Sequence, residues 1–171
     1  KEFCSKELTF TKKLIILYGV ASGMSYLHHN NIIHQNLNSS CIFFDDNFLP
    51  KISRLDMAKS LDPIFPFDEP RNVCRYYKYG KENDVYSFSL LMYELMFNKP
   101  IIVDQGENRP LLDHSIPECY EKLIVKCWSE NPEERPTFEE IVDELRNNRE
   151  FITDDVDEKE YQNYIKFIDD S

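Results

Sequence analysis

The 171-residue sequence has few glycines, fewer basic than acidic residues, and no long apolar run. Four glycines are too few for a long glycine-rich loop of the kind that cradles phosphate groups. The 20 Lys and Arg stand against 31 Asp and Glu, which gives a formal net charge of -11. Such a chain lacks the electrostatic footprint of a protein that grips phosphate backbones or anionic lipid. We therefore expect no nucleic-acid partner and no membrane partner.

The apolar runs are far shorter than the roughly 18 residues of a membrane span. The run at 14–17, for example, is preceded by Lys12 and Lys13 and followed by Tyr18 and a glycine. The sequence also begins without Met and without the apolar stretch of a secretory signal. We therefore expect it to start inside a longer product.

The cysteines contain no C-x-x-C pair and no nearby histidine at metal-ligand spacing, which argues against a zinc site. Their number is odd and their neighbours are apolar, which is typical of small buried hydrophobic side chains rather than of a disulfide framework. We therefore predict a protein of a reducing compartment, the cytoplasm. The five cysteines are Cys4, Cys41, Cys74, Cys119 and Cys127.

In the first half of the chain, apolar spacing predicts a helix over about residues 8–28 with one buried face. Short strands follow, with a hairpin at the acidic turn 45–47, and Pro50 is restricted to an edge or to a first strand position. Between 61 and 75, prolines interrupt every possible helix, which indicates an irregular loop. The predicted strand segments are 32–33, 41–44 and 49–52.

In the second half, residues 84–97 are apolar around the whole circumference of a helix, which predicts a helix buried on all sides. Residues 120–128 and 138–145 show the i, i+3, i+4, i+7 pattern of amphipathic helices. Thr137 followed three residues later by Glu140 predicts a capping box at the start of the second one.

The last 22 residues differ in composition from the rest. Residues 150–171 contain eight acidic and two basic residues, a net charge of -6. Tyr161, Tyr164 and Ile165 nevertheless keep helical spacing. The segment is therefore either a solvated acidic face or a docked helix. We divide the chain into a main unit, residues 1–149, and this acidic tail, residues 150–171.

Five motifs in one order resemble the large C-terminal lobe of eukaryotic protein kinases. The closest groups are the tyrosine-kinase-like and tyrosine kinases, because of the run Asp-Val-Tyr-Ser-Phe at 84–88 and of Cys127-Trp128 before Asn-Pro-Glu-Glu-Arg-Pro at 131–136. The resemblance implies a mainly α fold with a short β-hairpin region, and no N-terminal lobe within this sequence. The five segments are 26–28, 32–38, 51–56, 84–88 and 135–136.

The residues that would carry kinase chemistry are missing at their expected positions. Catalysis in that family needs a carboxylate beside the substrate hydroxyl, a lysine near the transferring phosphoryl group and ligands for magnesium. The resemblance places Asn36, Asn38 and Cys41 at the positions of the carboxylate, the lysine and a metal-binding asparagine. An amide cannot accept the proton, Asn38 carries no charge, and a neutral thiol is a poor ligand for magnesium.

The resemblance implies a second metal ligand, a carboxylate, and its position is occupied by Arg54. Arg54 is a fixed cation that should repel a metal ion. A shift of two residues would instead bring Asp56 to that position, but residues 51–53 and 57–58 fit the unshifted alignment. Gln35 replaces an arginine that would bind a phosphorylated activation loop. Activation-loop phosphorylation is therefore not an obvious switch here.

Three residues match positions whose role in the family is architectural. The resemblance implies that Asp84 accepts backbone amides of the catalytic loop and that His34 packs beneath the metal-binding loop. We interpret His34 as a packed imidazole rather than a base, and Asp84 at a helix start as a cap rather than a catalytic group. Arg135 would pair with the glutamate of an A-P-E motif. No clear A-P-E is present, and Glu69 is the candidate carboxylate.

The sequence therefore predicts a catalytically inactive, pseudokinase-like lobe that serves as an interaction or regulatory module, binds protein partners, and needs no cofactor or metal. The alternative is part of a divergent ATP-dependent Ser/Thr or Tyr kinase whose N-lobe lies upstream, for which ATP and magnesium would be the cofactors. A third hypothesis is a helical scaffold unrelated to phosphate chemistry. Concerted loss of the chemical groups within an intact apolar pattern favours the first, because random drift would also damage the core.

Overall fold

The computed structural model describes residues 8–47, 49–61, 80–99, 101, 109–112 and 114–170. The fold is mainly α with a small strand region, as predicted. The helices are α1 (Phe10–His29), α2 (Lys81–Phe97), α3 (Glu118–Cys127), α4 (Phe138–Asn147) and α5 (Glu158–Asp169), and the strands are β1 (Ile32–Ile33), β2 (Ile42–Phe44), β3 (Pro50–Ile52) and β4 (Lys59–Ser60).

Helix α1 is the central element, and α4, α5 and β3 all pack against it. It begins at Phe10, because the side chain of Thr9 accepts a hydrogen bond from the Lys12 amide and so caps the first turn. The cap places the helix two residues later than the apolar pattern predicts. No helix among the described residues is long and apolar enough to cross a membrane.

Two glycines on α1 allow its neighbours to approach closely. A Cβ atom on Gly19 would collide with the Tyr164 hydroxyl of α5 and would lie 2.6 Å from Cγ of Pro50 in β3. A Cβ atom on Gly23 would meet only the end of the Ile52 side chain, at 2.8 Å from Cδ1. The glycines thus set the spacing between α1 and the strand that leads into residues 53–57.

Helix α2 is enclosed, as predicted, since every residue from 84 to 97 is buried or half-buried. Its start differs from the prediction, because the helix begins at Lys81 rather than at Asp84. The Asn83 side chain accepts a hydrogen bond from the Gly80 amide at 3.0 Å, which secures one more turn. The helix ends at Phe97, because the C-cap residue Asn98 has a left-handed φ of 52° that stops further α-helical turns.

The strands form two small antiparallel sheets. β2 pairs with β3 in the register Ile42 to Ile52 and Phe44 to Pro50, and β1 pairs with β4. Asp45 closes the predicted hairpin, because its carboxylate accepts hydrogen bonds from the amides of Asn47 and Leu49. Pro50 stands first in its strand, as predicted. Apart from Leu61, the loop predicted for 61–75 lies outside the described residues.

Helices α3 and α4 complete the core, and the predicted capping box of Thr137 and Glu140 is present. Both helices bury their apolar faces against the other elements. Cys119 and Cys127 are buried free thiols, and burial raises the pKa of Cys119 to about 11. They behave as small apolar side chains, as the sequence predicts. Cys4 and Cys74 lie outside the described residues.

Helix α5, in the acidic tail, packs on α1. Tyr161 is fully buried, contacts the Tyr18 ring edge to face at 5.8 Å, and donates its hydroxyl to the Leu145 carbonyl. The Asp157 amide donates to the Thr11 hydroxyl, and Lys12 pairs with Glu160. The apolar spacing of the tail therefore corresponds to one face of a packed helix, while its acidic residues lie mostly in solvent.

We predict that Gly19→Ala destabilises the fold and that Gly23→Ala does not. Alanine favours a helix over glycine by about 1 kcal/mol, but overpacking against the rigid Pro50 ring and Tyr164 costs about 1–3 kcal/mol. Ile52 can rotate away from a Cβ at position 23. Urea unfolding of both variants measures the difference, and equal midpoints would contradict the close approach.

We also predict that Tyr161→Ala lowers the free energy of unfolding by about 3–5 kcal/mol, the cost of removing a buried aromatic side chain. Phe167→Ala in the same helix is the control, because that ring is 48% exposed. It should cost less than about 1 kcal/mol. If the tail does not stabilise the main unit, the two variants will unfold at the same denaturant concentration.

Candidate functional site

The loop 34–41, which connects β1 to β2, is held by one buried carboxylate on α2. Asp84 is 1% exposed and accepts hydrogen bonds from the His34 amide at 2.7 Å and the Gln35 amide at 2.9 Å. The Nε2 atom of His28 in α1 lies 2.9 Å from the same carboxylate. Asp84 therefore connects α1, α2 and the loop at a single point.

The structure corrects the interpretation of Asp84 as a cap of its own helix. Gly80 is the N-cap residue, and Asp84 is the fourth residue of α2. The physical reason is that the extra first turn is closed by Asn83, which leaves the Asp84 carboxylate free to point away from the helix axis towards the loop amides.

His28 is a partner of Asp84 that the sequence did not predict. Its ring is buried, packs edge to face on Phe138 at 5.0 Å, and faces Asp84. The signal was present in the spacing, because His28 follows the buried Met24 by four residues and so falls on the same helix face.

His34 is fully buried, and both its ring nitrogens have partners. Nε2 lies 2.9 Å from the Ser53 carbonyl, which can only accept, so Nε2 carries the proton. Nδ1 accepts a hydrogen bond from the Asn36 amide at 3.3 Å. A neutral imidazole in this state has no free nitrogen with which to take a proton from a substrate. His34 instead ties the loop to the segment that follows β3.

Asn36, Asn38 and Cys41 lie together, and the side chains of Asn38 and Cys41 both donate hydrogen bonds to Asn36. The Asn38 amide donates to the Asn36 carbonyl at 2.8 Å and to the Asn36 side-chain oxygen at 3.3 Å. The Cys41 thiol donates to the same carbonyl at 3.0 Å. The Asn38 oxygen accepts from the amide and the hydroxyl of Ser40. The loop therefore satisfies its own polar groups.

Arg54 lies directly after Ser53, and its backbone is left-handed with φ 60°. Gln35 has the same conformation, φ 64°, and is held there by Asp84. Non-glycine residues in this region cost about 1–3 kcal/mol, so both positions are determined by their surroundings. The Arg54 side chain is exposed and forms no hydrogen bond or ion pair with the described residues.

The residues of this site do not fit a magnesium ion. At the positions where the resemblance places metal ligands, Cys41 offers a buried thiol engaged with a carbonyl and Arg54 offers a cation. Asp56, the alternative ligand, is exposed beside Arg54. The described part of the chain holds no group of three or more His, Cys, Asp or Glu side chains arranged to bind a metal.

Arg135 is separate from the loop and binds carbonyl groups. Its Nε atom donates to the Ser129 carbonyl at 3.0 Å and one Nη to the Glu82 carbonyl at 2.9 Å, while the guanidinium lies over the Tyr86 ring. Partial burial lowers the pKa of this guanidinium from its ordinary value. Glu69, the carboxylate suggested by the sequence, lies outside the described residues.

Comparisons with known proteins agree with this arrangement. Residues 2–145 match the model of the family described as protein tyrosine and serine/threonine kinase. A probable serine/threonine-protein kinase of Dictyostelium discoideum is 34% identical over 160 residues, which is 82% of this chain and 12% of that protein. A dual specificity protein kinase of the same organism is 28% identical over 164 residues, 82% of this chain and 25% of that protein.

A cysteine-rich receptor-like protein kinase of Arabidopsis thaliana is 29% identical over 188 residues, 85% of this chain and 29% of that protein. The chain thus spans less than a third of each of these relatives. The family match covers far more than half of this chain and includes the loop 34–41, α2 and Arg135. The chain therefore belongs to the protein tyrosine and serine/threonine kinase family.

Proposed function

We propose that this chain is a catalytically inactive kinase-family lobe of the tyrosine-kinase-like type, and that it acts as an interaction or regulatory module in the cytoplasm. It needs no cofactor, and its partners are proteins. Four substitutions support inactivity: the carboxylate, the lysine and both metal ligands expected from the resemblance are replaced by Asn36, Asn38, Cys41 and Arg54.

The observation that carries this proposal is the hydrogen bonding between Asn36 and Asn38. A carboxylate at position 36 would orient and deprotonate a substrate hydroxyl, whereas the Asn36 oxygen is neutral and already accepts a hydrogen bond from the Asn38 amide. Asn38 carries no charge that could offset negative charge on a phosphoryl group. Both residues therefore serve the loop and not a reaction.

An interaction role is supported by what is retained. The Asp84 contacts with the loop amides, the His34 contact with Ser53 and the enclosed α2 are all in place. A fold held together at this level presents a defined surface, which a binding module requires and which an eroding sequence would lose.

One observation favours a second function, part of an active ATP-dependent Ser/Thr or Tyr kinase that uses ATP and magnesium. The three relatives described above are all named as kinases. Under this alternative, the Asn36 amide would orient the substrate hydroxyl, and groups elsewhere in a longer protein would supply the rest of the missing chemistry. The two functions differ in whether phosphoryl transfer depends on Asn36.

The decisive experiment is a phosphoryl-transfer assay. We expect no transfer above background from radiolabelled ATP to the protein itself or to a mixed peptide substrate, with magnesium or manganese, because no group at position 36 accepts the proton. Addition of ATP and magnesium should leave the thermal unfolding temperature unchanged. The assay is run on this chain and on the longer protein that contains it.

Asn36→Ala is the control variant for that assay. Signal that persists in Asn36→Ala comes from a contaminating kinase and leaves the proposal standing. Turnover that is clear in the natural chain and lost in Asn36→Ala would overturn the proposal in favour of the active kinase.

The retained architecture is tested separately through Asp84. We predict that Asp84→Asn lowers the free energy of unfolding by about 3 kcal/mol, because an amide cannot accept all three hydrogen bonds and leaves a buried donor without a partner. Asp56→Asn is the matched control at an exposed carboxylate and should change stability by less than about 0.5 kcal/mol. Denaturant unfolding measures both, and equal stabilities would show that Asp84 does not organise the loop.

A further inference from the structure

Helix α5 lies outside the part of the chain that matches the kinase family, since the match ends at residue 145 and the helix begins at Glu158. It nevertheless buries three side chains, each at most 5% exposed. They are Tyr161, Tyr164 and Ile165. Tyr161 contacts α1 and donates a hydrogen bond to a carbonyl of α4, whereas Tyr164 reaches the strand region.

Tyr164 and the β2–β3 hairpin converge on α1 at Gly19, where no side chain stands between them. A Cβ atom at Gly19 would lie 3.2 Å from Cζ of Tyr164 and 2.6 Å from Cγ of Pro50. Pro50, the first residue of β3, is buried although its sheet has only two strands. Burial, and secondarily the charge of Asp45 at the hairpin turn, raise the pKa of the Tyr164 hydroxyl. The tail therefore packs where the hairpin lies on α1.

The strand that begins at Pro50 leads into Ser53, which joins the two ends of the loop 34–41. The Ser53 amide and hydroxyl both donate to the Cys41 carbonyl at 2.9 Å. The Ser53 carbonyl lies 2.9 Å from Nε2 of His34. The loop therefore has two anchors. Asp84 binds the amides of residues 34 and 35, and Ser53 binds residue 41.

Three ion pairs fasten the two ends of α5 to the main unit. In each of them the acidic residue belongs to the helix and the basic residue to the main unit. The pairs are Lys12 with Glu160, Arg146 with Asp169, and Arg149 with Glu158. Partly exposed pairs of this kind are individually weak and are screened by salt. The acidic composition of the tail therefore serves its docking, and the docking depends on charge.

We propose that α5 is a strap, fastened by these ion pairs, that holds the β2–β3 hairpin on α1 through Tyr164 and thereby fixes Ser53 and the residue-41 end of the loop. When the strap detaches, the hairpin and Ser53 open locally while the Asp84 anchor remains. A ligand that binds only the detached helix would shift this equilibrium and so act on the loop from a distance. The inference goes beyond the proposed function and holds equally for the active kinase, because both use this loop.

The test is hydrogen exchange of the full chain, measured at the Ser53 amide and, as an internal reference, at the His34 amide. Tyr164→Ala should speed exchange at Ser53 about tenfold more than at His34, because only the Ser53 anchor depends on the strap. Tyr26→Ala is the matched control, since it removes the same side chain where it is 70% exposed on α1. It should change exchange of both amides by the same factor.

A triple variant that neutralises the three acidic residues of the ion pairs tests the fastening. It should speed exchange at Ser53 about threefold more than at His34. Its matched control neutralises three exposed acidic residues of the tail that form no ion pair with the described residues, and should leave both amides unchanged. The first variant is Glu158→Gln, Glu160→Gln and Asp169→Asn, and the control is Asp154→Asn, Asp155→Asn and Asp170→Asn.

Exchange that speeds by the same factor at Ser53 and His34 in Tyr164→Ala would overturn the inference, because the tail would then contribute only to global stability. Equal effects of the two triple variants would also overturn it. If Tyr164→Ala does not fold, the two triple variants decide alone. The measurement contains no nucleotide, so it and the phosphoryl-transfer assay can fail independently.

Discussion

The arrangement of the site depends on one buried carboxylate, Asp84. It accepts hydrogen bonds from two loop amides and faces a histidine of α1. Because Asp84 is only 1% exposed, no solvent-exposed group could take over these contacts. A buried carboxylate is costly unless every lone pair finds a donor, and here three donors from two other parts of the chain meet it. The His34 and Gln35 amides are thereby fixed, which holds Gln35 in its left-handed conformation. Residues 36–41 are thereby directed towards the segment after β3.

This constraint separates the frame of the lobe from its chemistry. Asp84, His28 and His34 bind backbone groups or one another, and none of them needs a substrate. Asn36 and Asn38, which the resemblance places at catalytic positions, bond to each other. Under the proposed function, a kinase-family lobe keeps its loop geometry without the reacting groups, because the loop is positioned by hydrogen bonds to the backbone. The tail extends the frame beyond the region that matches the family, since α5 packs on α1 through Tyr161.

Local patterns predicted most of the fold. The buried circumference of α2, the hairpin at Asp45 and the capping box at Thr137 are each encoded within a few residues, and all three are confirmed. What the sequence could not supply were contacts between distant segments. The role of His28 depends on a residue 56 positions away, and the carbonyl partners of Arg135 depend on how α2 meets residues 129–135.

Hydrogen exchange of the His34 and Gln35 amides tests most directly whether Asp84, and not the residues at the catalytic positions, holds the loop. In the natural chain both amides should exchange only through global unfolding, since their acceptor is buried. The double variant Asn36→Asp with Asn38→Lys should retain this protection relative to its own global stability, and Asp84→Asn should lose it by local opening. Protection that survives in Asp84→Asn, or that disappears in the double variant, would contradict the account.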